Sequence, residues 1–198
     1  MYIVVSGNIG AGKTCLSQII SEDLGFSVYF EDFHANLFLK QYYKDMKRWA
    51  FATQINFLAL RYEQIVHHIL LSSVPSVLDR SIYEDREVFA KSLHEENLMT
   101  DEEWTVYNKL YDLMVAHLPT PNLLIYLDKT VDELLRNISK RGRDFEIIPR
   151  DYLEGLEKRY AAFYDNWHFP KIRFTNDIYE NRSEIVDKIK NALYNSVY

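Results

Sequence analysis

Residues 4–15 read VVSGNIGAGKTC, and inside this stretch Gly7-Asn8-Ile9-Gly10-Ala11-Gly12-Lys13-Thr14 fits the spacing GxxxxGK(S/T). The pattern dictates a local structure before it suggests a chemistry. Glycines let the backbone wrap closely round a phosphate with its N–H groups pointing inward, and the helix that follows adds its positive end. In such a loop Lys13 reaches the β- and γ-phosphates of a nucleotide, and the Thr14 hydroxyl contacts Mg²⁺. At average residue usage a chance match in a chain this long arises on the order of 1% of the time. The required context is also present. The apolar run Tyr2–Ser6 predicts a strand in front, and Lys13–Leu24 predicts a helix closed by Gly25 at its C′ position.

The rest of the chain repeats that alternation. Ser27–Phe30, Ser76–Asp79, Asn122–Leu127 and Lys171–Phe174 are short apolar runs, which suit strands buried on both faces of a parallel sheet. Thr100-Asp101-Glu102-Glu103 and Thr130-Val131-Asp132-Glu133 read as capping boxes opening helices. The stretch from Arg182 to Tyr194 reads as an amphipathic closing helix. The fold expected is therefore α/β, a P-loop three-layer fold with a five-stranded parallel sheet flanked by helices. At 198 residues, with no low-complexity linker and no fixed-period repeat, one domain over residues 1–198 accommodates all of it.

A formal charge of −6 and a pI near 5.5 argue against a nucleic-acid or acidic-membrane surface. Small phosphorylated ligands need only a local cluster of cations. Cys15 is the single cysteine, so no intrachain disulfide forms and a reducing cytosol is the natural setting. The first residues lack a basic n-region, and no apolar run reaches the roughly 18 residues a membrane span requires. The expectation is a cytoplasmic protein.

The phosphate loop alone does not choose among nucleotide-binding classes. A GTPase needs a guanine-specifying NKxD, but Asn108-Lys109 is followed by Leu110 and Tyr111. No LSGGQ-like signature of a transport ATPase occurs either, so a small-molecule kinase is the simplest reading. In open parallel sheets ligands bind beyond the carboxyl ends of the strands, so polar residues directly after the apolar runs are the candidates. Glu31, after the second run, can accept a proton from an acceptor hydroxyl. Asp79, after the third, can hold Mg²⁺, and Arg80 beside it can neutralise charge on the transferred group. Lys140-Arg141-Gly142-Arg143, with Glu146 just after, suits a lid over polyphosphate at about residues 137–150. His67-His68 and His94-Glu95-Glu96-Asn97 have no metal-binding spacing.

Taken in order, these stretches resemble the deoxynucleoside kinase family, and the match covers nearly the whole chain. GNIGAGKT, the Glu31 that follows the second strand, and Tyr42-Tyr43-Lys44-Asp45-Met46-Lys47-Arg48-Trp49-Ala50-Phe51 with Gln54 are similar to its phosphate loop, base and acceptor helix. Asp79-Arg80-Ser81-Ile82-Tyr83-Glu84-Asp85 is similar to its DRS/ERS motif, and Lys140-Arg141-Gly142-Arg143 with Glu146 to its lid. The wording of SIYED and RGRDFE is closer to bacterial or viral members than to animal ones.

The resemblance implies ATP-dependent phosphorylation of the 5′-hydroxyl of a 2′-deoxynucleoside by a homodimer. Gly7, Asn8, Ile9, Gly10, Ala11, Gly12, Lys13, Thr14 and Cys15 would bind ATP, with Arg141 and Arg143 clamping phosphates and Lys13 and Arg141 also serving catalysis. Glu31 would activate the 5′-OH, and Arg80 would sit near that hydroxyl and the transferred phosphoryl. Tyr43 and Glu146 would hold the sugar 3′-OH, Gln54 would pair with the base edge, and Phe57 and Phe89 would line the base site. Arg61 and Asp85 match the pair that reads amino and ring-nitrogen positions in members preferring purines or cytosine, which puts deoxyadenosine first. Thr14 and Asp79 would serve Mg²⁺.

Four departures from the family pattern stand out. Glu31 is followed by Asp32 instead of proline, a tryptophan of animal members is replaced around Asn36, and an aromatic before Gln54 is Thr53. The lid arginine expected four residues before Arg141 is Asn137, with Arg136 adjacent. The alternative readings are a nucleoside monophosphate kinase, which could recruit Arg48 for the acceptor's phosphate, and a P-loop protein that binds nucleotide without catalysis.

Overall fold

The computed structural model describes residues 1–142, 148–175 and 181–197. Its sheet has five parallel strands, β1 (Tyr2–Gly7), β2 (Ser27–Tyr29), β3 (Ser76–Asp79), β4 (Leu123–Leu127) and β5 (Lys171–Phe174), in the spatial order β2-β3-β1-β4-β5. The sequence places all five to within one residue at each end. β1, β3 and β4 are buried along their whole length, as continuous apolar runs covered on both faces must be. The register pairs Val5 with Asp79 and with Ile125, so the carboxyl ends of β1, β3 and β4 lie side by side. That edge is where the strand order reverses about β1, and a crevice for ligands opens at such a point.

The residues divide into two compact units. One comprises residues 1–30, 74–80 and 121–198 and contains the sheet. It also holds α1 (Lys13–Leu24), α7 (Val131–Arg141), α8 (Arg150–Asp165) and α9 (Arg182–Val197), with α2 to α6 belonging to the other unit. Its core gathers Ile3, Val5, Leu16, Ile20, Val77, Ile125, Leu134, Leu153 and Ile189. α1 ends at Gly25 with φ +72°, a left-handed cap that glycine adopts at low cost. Thr130 opens α7 with a reciprocal capping box: its hydroxyl accepts from the Glu133 amide, and the Glu133 carboxylate accepts from the Thr130 amide.

The second unit, residues 31–73 and 81–120, is helical. It holds the short α2 (Leu39–Tyr42), the long α3 (Met46–Ile65), the turn α4 (Ile82–Glu84), α5 (Lys91–Glu95) and α6 (Asp101–Val115). Between α4 and α5 the helix widens into a π-turn over Asp85–Ala90, the kind of local expansion that often marks a functional site. Capping boxes open α4 at Ser81 with Glu84 and α6 at Thr100 with Glu103. Among the described residues no helix is long and apolar enough to cross a membrane.

Candidate active site

In the sheet unit the phosphate loop joins β1 to α1. Its lysine is turned inward: Lys13 Nζ donates to the carbonyls of Gly7 at 2.9 Å and Asn8 at 3.0 Å. The ammonium, buried with the rest of the side chain, is thus held against the loop's own carbonyls. Thr14, exposed on the first turn of α1, donates its hydroxyl to Asp79 Oδ2 at 2.6 Å. Asp79 ends β3 and is only 4% exposed, so two hard oxygen donors meet at the sheet edge. Arg80 follows with φ +81°, a conformation costly for any residue with a Cβ. Its amide donates to Val5 O at 2.9 Å, and its guanidinium donates to the Tyr160 hydroxyl of α8 at 2.5 Å. Strand pairing and a buried tyrosine hold this arginine in its strained turn.

In the helical unit the candidates gather on α3 and the π-turn. Arg61 is 4% exposed and bridges two carboxylates, donating from its terminal Nη2 to Glu31 Oε1 at 2.7 Å and from Nε to Asp85 Oδ2 at 3.3 Å. A guanidinium buried this deeply needs such charge partners, since an isolated buried charge is costly. Gln54, two turns earlier on the same helix, is 6% exposed, and Phe57 and Phe89 are half-buried. Tyr43 is 40% exposed at the end of α2. Tyr107 on α6 is fully buried, and its phenol titrates well above the usual value, because of burial first and the Asp85 carboxylate second.

Arg141 is exposed at the C-terminal turn of α7, while Arg143 and Glu146 lie outside the described residues. Within each unit, then, the predicted residues fall together: Lys13, Thr14, Asp79 and Arg80 in one, Glu31, Arg61 and Asp85 in the other.

Several residues that hold these groups are not evident in the sequence. Asn36, 6% exposed, donates to the Thr53 carbonyl at 3.0 Å, and Asn56 Oδ1 accepts from the Leu37 amide at 2.8 Å. The segment after Glu31 is thus laid along α3, and two of the positions that depart from the family pattern, Asn36 and Thr53, touch each other. On α8, Glu157 accepts from the Tyr126 hydroxyl at 3.0 Å and from Asn8 Nδ2 at 3.4 Å. A signal for Glu157 exists, since it interrupts the stripe Leu153, Leu156, Tyr160 and Phe163 that faces the core.

A glycine-rich loop between the central strand and its helix, with a threonine and a strand-end aspartate in contact, defines a P-loop nucleotide-binding protein of the kinase type. The deoxynucleoside kinase family, described as "Deoxynucleoside kinase", matches residues 3–196. A deoxyadenosine kinase of Lactobacillus acidophilus is 39% identical over 186 residues, covering 88% of this chain and 85% of its own. A deoxyguanosine kinase of the same organism is 34% identical over 208 residues, covering 95% of this chain and 90% of its own. The structure of deoxyadenosine kinase from M. mycoides with bound dCTP superposes with a TM-score of 0.84 at 30% identity, over 96% of this chain and all of that one. The chain belongs to the deoxynucleoside kinase family, and so it is a phosphotransferase.

Proposed function

We propose that this kinase transfers the γ-phosphoryl group of ATP to the 5′-hydroxyl of a 2′-deoxynucleoside, with deoxyadenosine as the preferred acceptor and deoxyguanosine and deoxycytidine after it. The observation that carries the reading is the double contact of Arg61 with Glu31 and Asp85. One buried guanidinium orients both a carboxylate suited to take the hydroxyl proton and a carboxylate suited to read a nucleobase. Asp85 accepts from an exocyclic amino group, which adenine, guanine and cytosine carry and thymine lacks. Gln54 pairs with the base edge, Phe57 and Phe89 flank the base, and Tyr43 holds the sugar 3′-OH. The names of the relatives support adenine first.

Glu31 accepts the 5′-OH proton as the oxygen bonds to the γ-phosphorus and the bond from that phosphorus to the bridging oxygen breaks, releasing ADP. Lys13 shifts from the Gly7 and Asn8 carbonyls to the phosphates, and Arg80 and Arg141 neutralise the charge on the transferred group. The transition state is loose, so positioning and charge neutralisation supply most of the rate.

The Thr14 hydroxyl and the Asp79 carboxylate fit Mg²⁺, since both are hard oxygen donors and they already meet at 2.6 Å. Held by Thr14 and Asp79, the ion would supply positive charge that offsets the charge of the donor's phosphates. We also read the chain as one catalytic domain and the protein as a cytoplasmic homodimer, a state that light scattering measures.

A coupled ADP-release assay tests the activity with the four deoxynucleosides, their ribose counterparts and the deoxynucleoside monophosphates. The expected result is the highest kcat/KM with deoxyadenosine. Faster turnover of any monophosphate than of every nucleoside would overturn the acceptor class.

A further inference from the structure

The phosphate loop is held from two sides. From α8, Asn8 is gripped at one atom and used at the other: its Nδ2 donates to the Leu153 carbonyl at 3.0 Å, and its Oδ1 accepts from the Ile9 amide at 2.8 Å. From α7, Asn137 Nδ2 donates to the carbonyl of Gly10 at 2.8 Å. The loop reaches α7 closely enough for that bond because residue 10 is a glycine. A Cβ built there would stand 2.8 Å from the Leu134 carbonyl and 2.9 Å from Ile138 Cγ1, and the residue has φ +83°. Leu134, Asn137 and Ile138 lie on one turn of α7, with Leu134 and Ile138 buried in the core. The asparagine is thus the polar member of an otherwise apolar seat for the loop.

The consequence follows from the planarity of the peptide unit. The Gly10 carbonyl and the Ala11 amide belong to one plane. Asn137 holds its oxygen, and the Asn8 carbonyl accepts from its N–H at 3.1 Å. With both ends fixed the plane cannot rotate. The same Asn8 carbonyl also accepts from Lys13 Nζ at 3.0 Å, so the crown of the loop and its lysine share one anchor.

We propose that Asn137 is a positioning residue of the phosphate loop: it keeps the Gly10 carbonyl turned away from the donor's phosphates and the loop's amides turned toward them. The proposal rests on the reading of the chain as an ATP-dependent kinase. It gives Asn137 a partner in the loop backbone, at a position where the family pattern carries an arginine. A contact with the loop backbone is blind to the donor's nucleobase, and that separates it from any contact with the base.

The test compares Asn137→Ala and the isosteric Asn137→Asp with the parent chain. Calorimetric binding of ATP, UTP and inorganic tripolyphosphate is measured alongside steady-state kinetics and Tm. The expected result is a loss of about threefold to tenfold, the size one neutral hydrogen bond carries, in affinity for all three ligands alike. KM for ATP rises, KM for the deoxynucleoside stays within about twofold, and Tm falls by no more than about 4 °C. Asn137→Asp, which keeps the volume but presents oxygens to the Gly10 carbonyl, loses at least as much as Asn137→Ala. Unchanged binding in both variants, or a loss for ATP that tripolyphosphate and UTP do not share, would overturn the proposal. A parent chain that binds all three ligands yet phosphorylates no deoxynucleoside would count against the kinase reading alone.

Discussion

Arg61 donates to Glu31 at 2.7 Å, so the proposed base is held by the same helix that carries Gln54. A carboxylate only a quarter exposed and gripped by a planar guanidinium has few rotamers left, which is the geometry a positioned proton acceptor requires. Glu31→Gln preserves the shape and removes the basicity. Its kcat is expected to fall by at least about 100-fold, with ATP affinity unchanged within about twofold by calorimetry. Retention of more than about a twentieth of the rate would remove Glu31 from the role. Arg61→Lys, whose single ammonium cannot reproduce a fork to two carboxylates, is expected to lose about tenfold in kcat.

Asp85 stands on the other side of that guanidinium, 3% exposed on the π-turn. Asp85→Ala removes the proposed acceptor for exocyclic amino groups and takes one carboxylate away from Arg61 while leaving the Glu31 contact. Loss of kcat/KM for deoxyadenosine is expected to exceed the loss for thymidine by about tenfold or more, the worth of one charge-assisted hydrogen bond to the base. Equal losses with all four deoxynucleosides would assign Asp85 to support of Arg61 alone.

The hydrogen bond from Thr14 to Asp79 predicts a joint effect on the metal requirement. Thr14→Ala and Asp79→Asn should each raise the Mg²⁺ concentration for half-maximal rate by about tenfold, while leaving metal-free ATP binding within about threefold. The double variant should be little worse than either single, because both changes would disable the one proposed site. Additive losses would mean that the two oxygens act separately.

The fold is legible in the sequence because its signals are local. A phosphate-loop spacing, five apolar runs and two Thr-x-x-Glu boxes each describe a few neighbouring residues, and β3, β5 and α1 have the bounds those signals predict. The Ser81–Glu84 box and the π-turn after it are harder to read because the strand-end motif and the helix start overlap there. The hidden part of the site is made of long-range polar contacts. Arg80 bonds to Tyr160 across 80 residues, Asn137 to Gly10 across 127, and Asn8 to Leu153 across 145. No periodicity encodes such pairs. An asparagine on a helix reads the same whether it faces water or a carbonyl, and the left-handed φ of Arg80 leaves no mark in composition.

Glu157 supplies a prediction of another kind, about stability and pH. Burial raises its carboxyl above the ordinary range, and the nearby Asp128 raises it further, against the hydrogen bonds from Tyr126 and Asn8 that favour the charged form. The folded protein therefore holds the Glu157 proton to higher pH than the unfolded chain does. The stabilisation linked to that proton is fully present below the unfolded value of 4.5 and is lost as pH rises through the raised folded value. In Glu157→Gln the new amide is neutral at every pH and still accepts from the Tyr126 hydroxyl, which burial keeps protonated. For this variant Tm is expected to match the parent near about pH 4 and to exceed it by about 2 °C near about pH 8. KM for ATP should change less than about twofold, because the shorter bond from Asn8 goes to the Leu153 carbonyl, at 3.0 Å against 3.4 Å to Glu157. A difference in Tm that is the same at both pH values would show that Glu157 acts through packing and not through its charge.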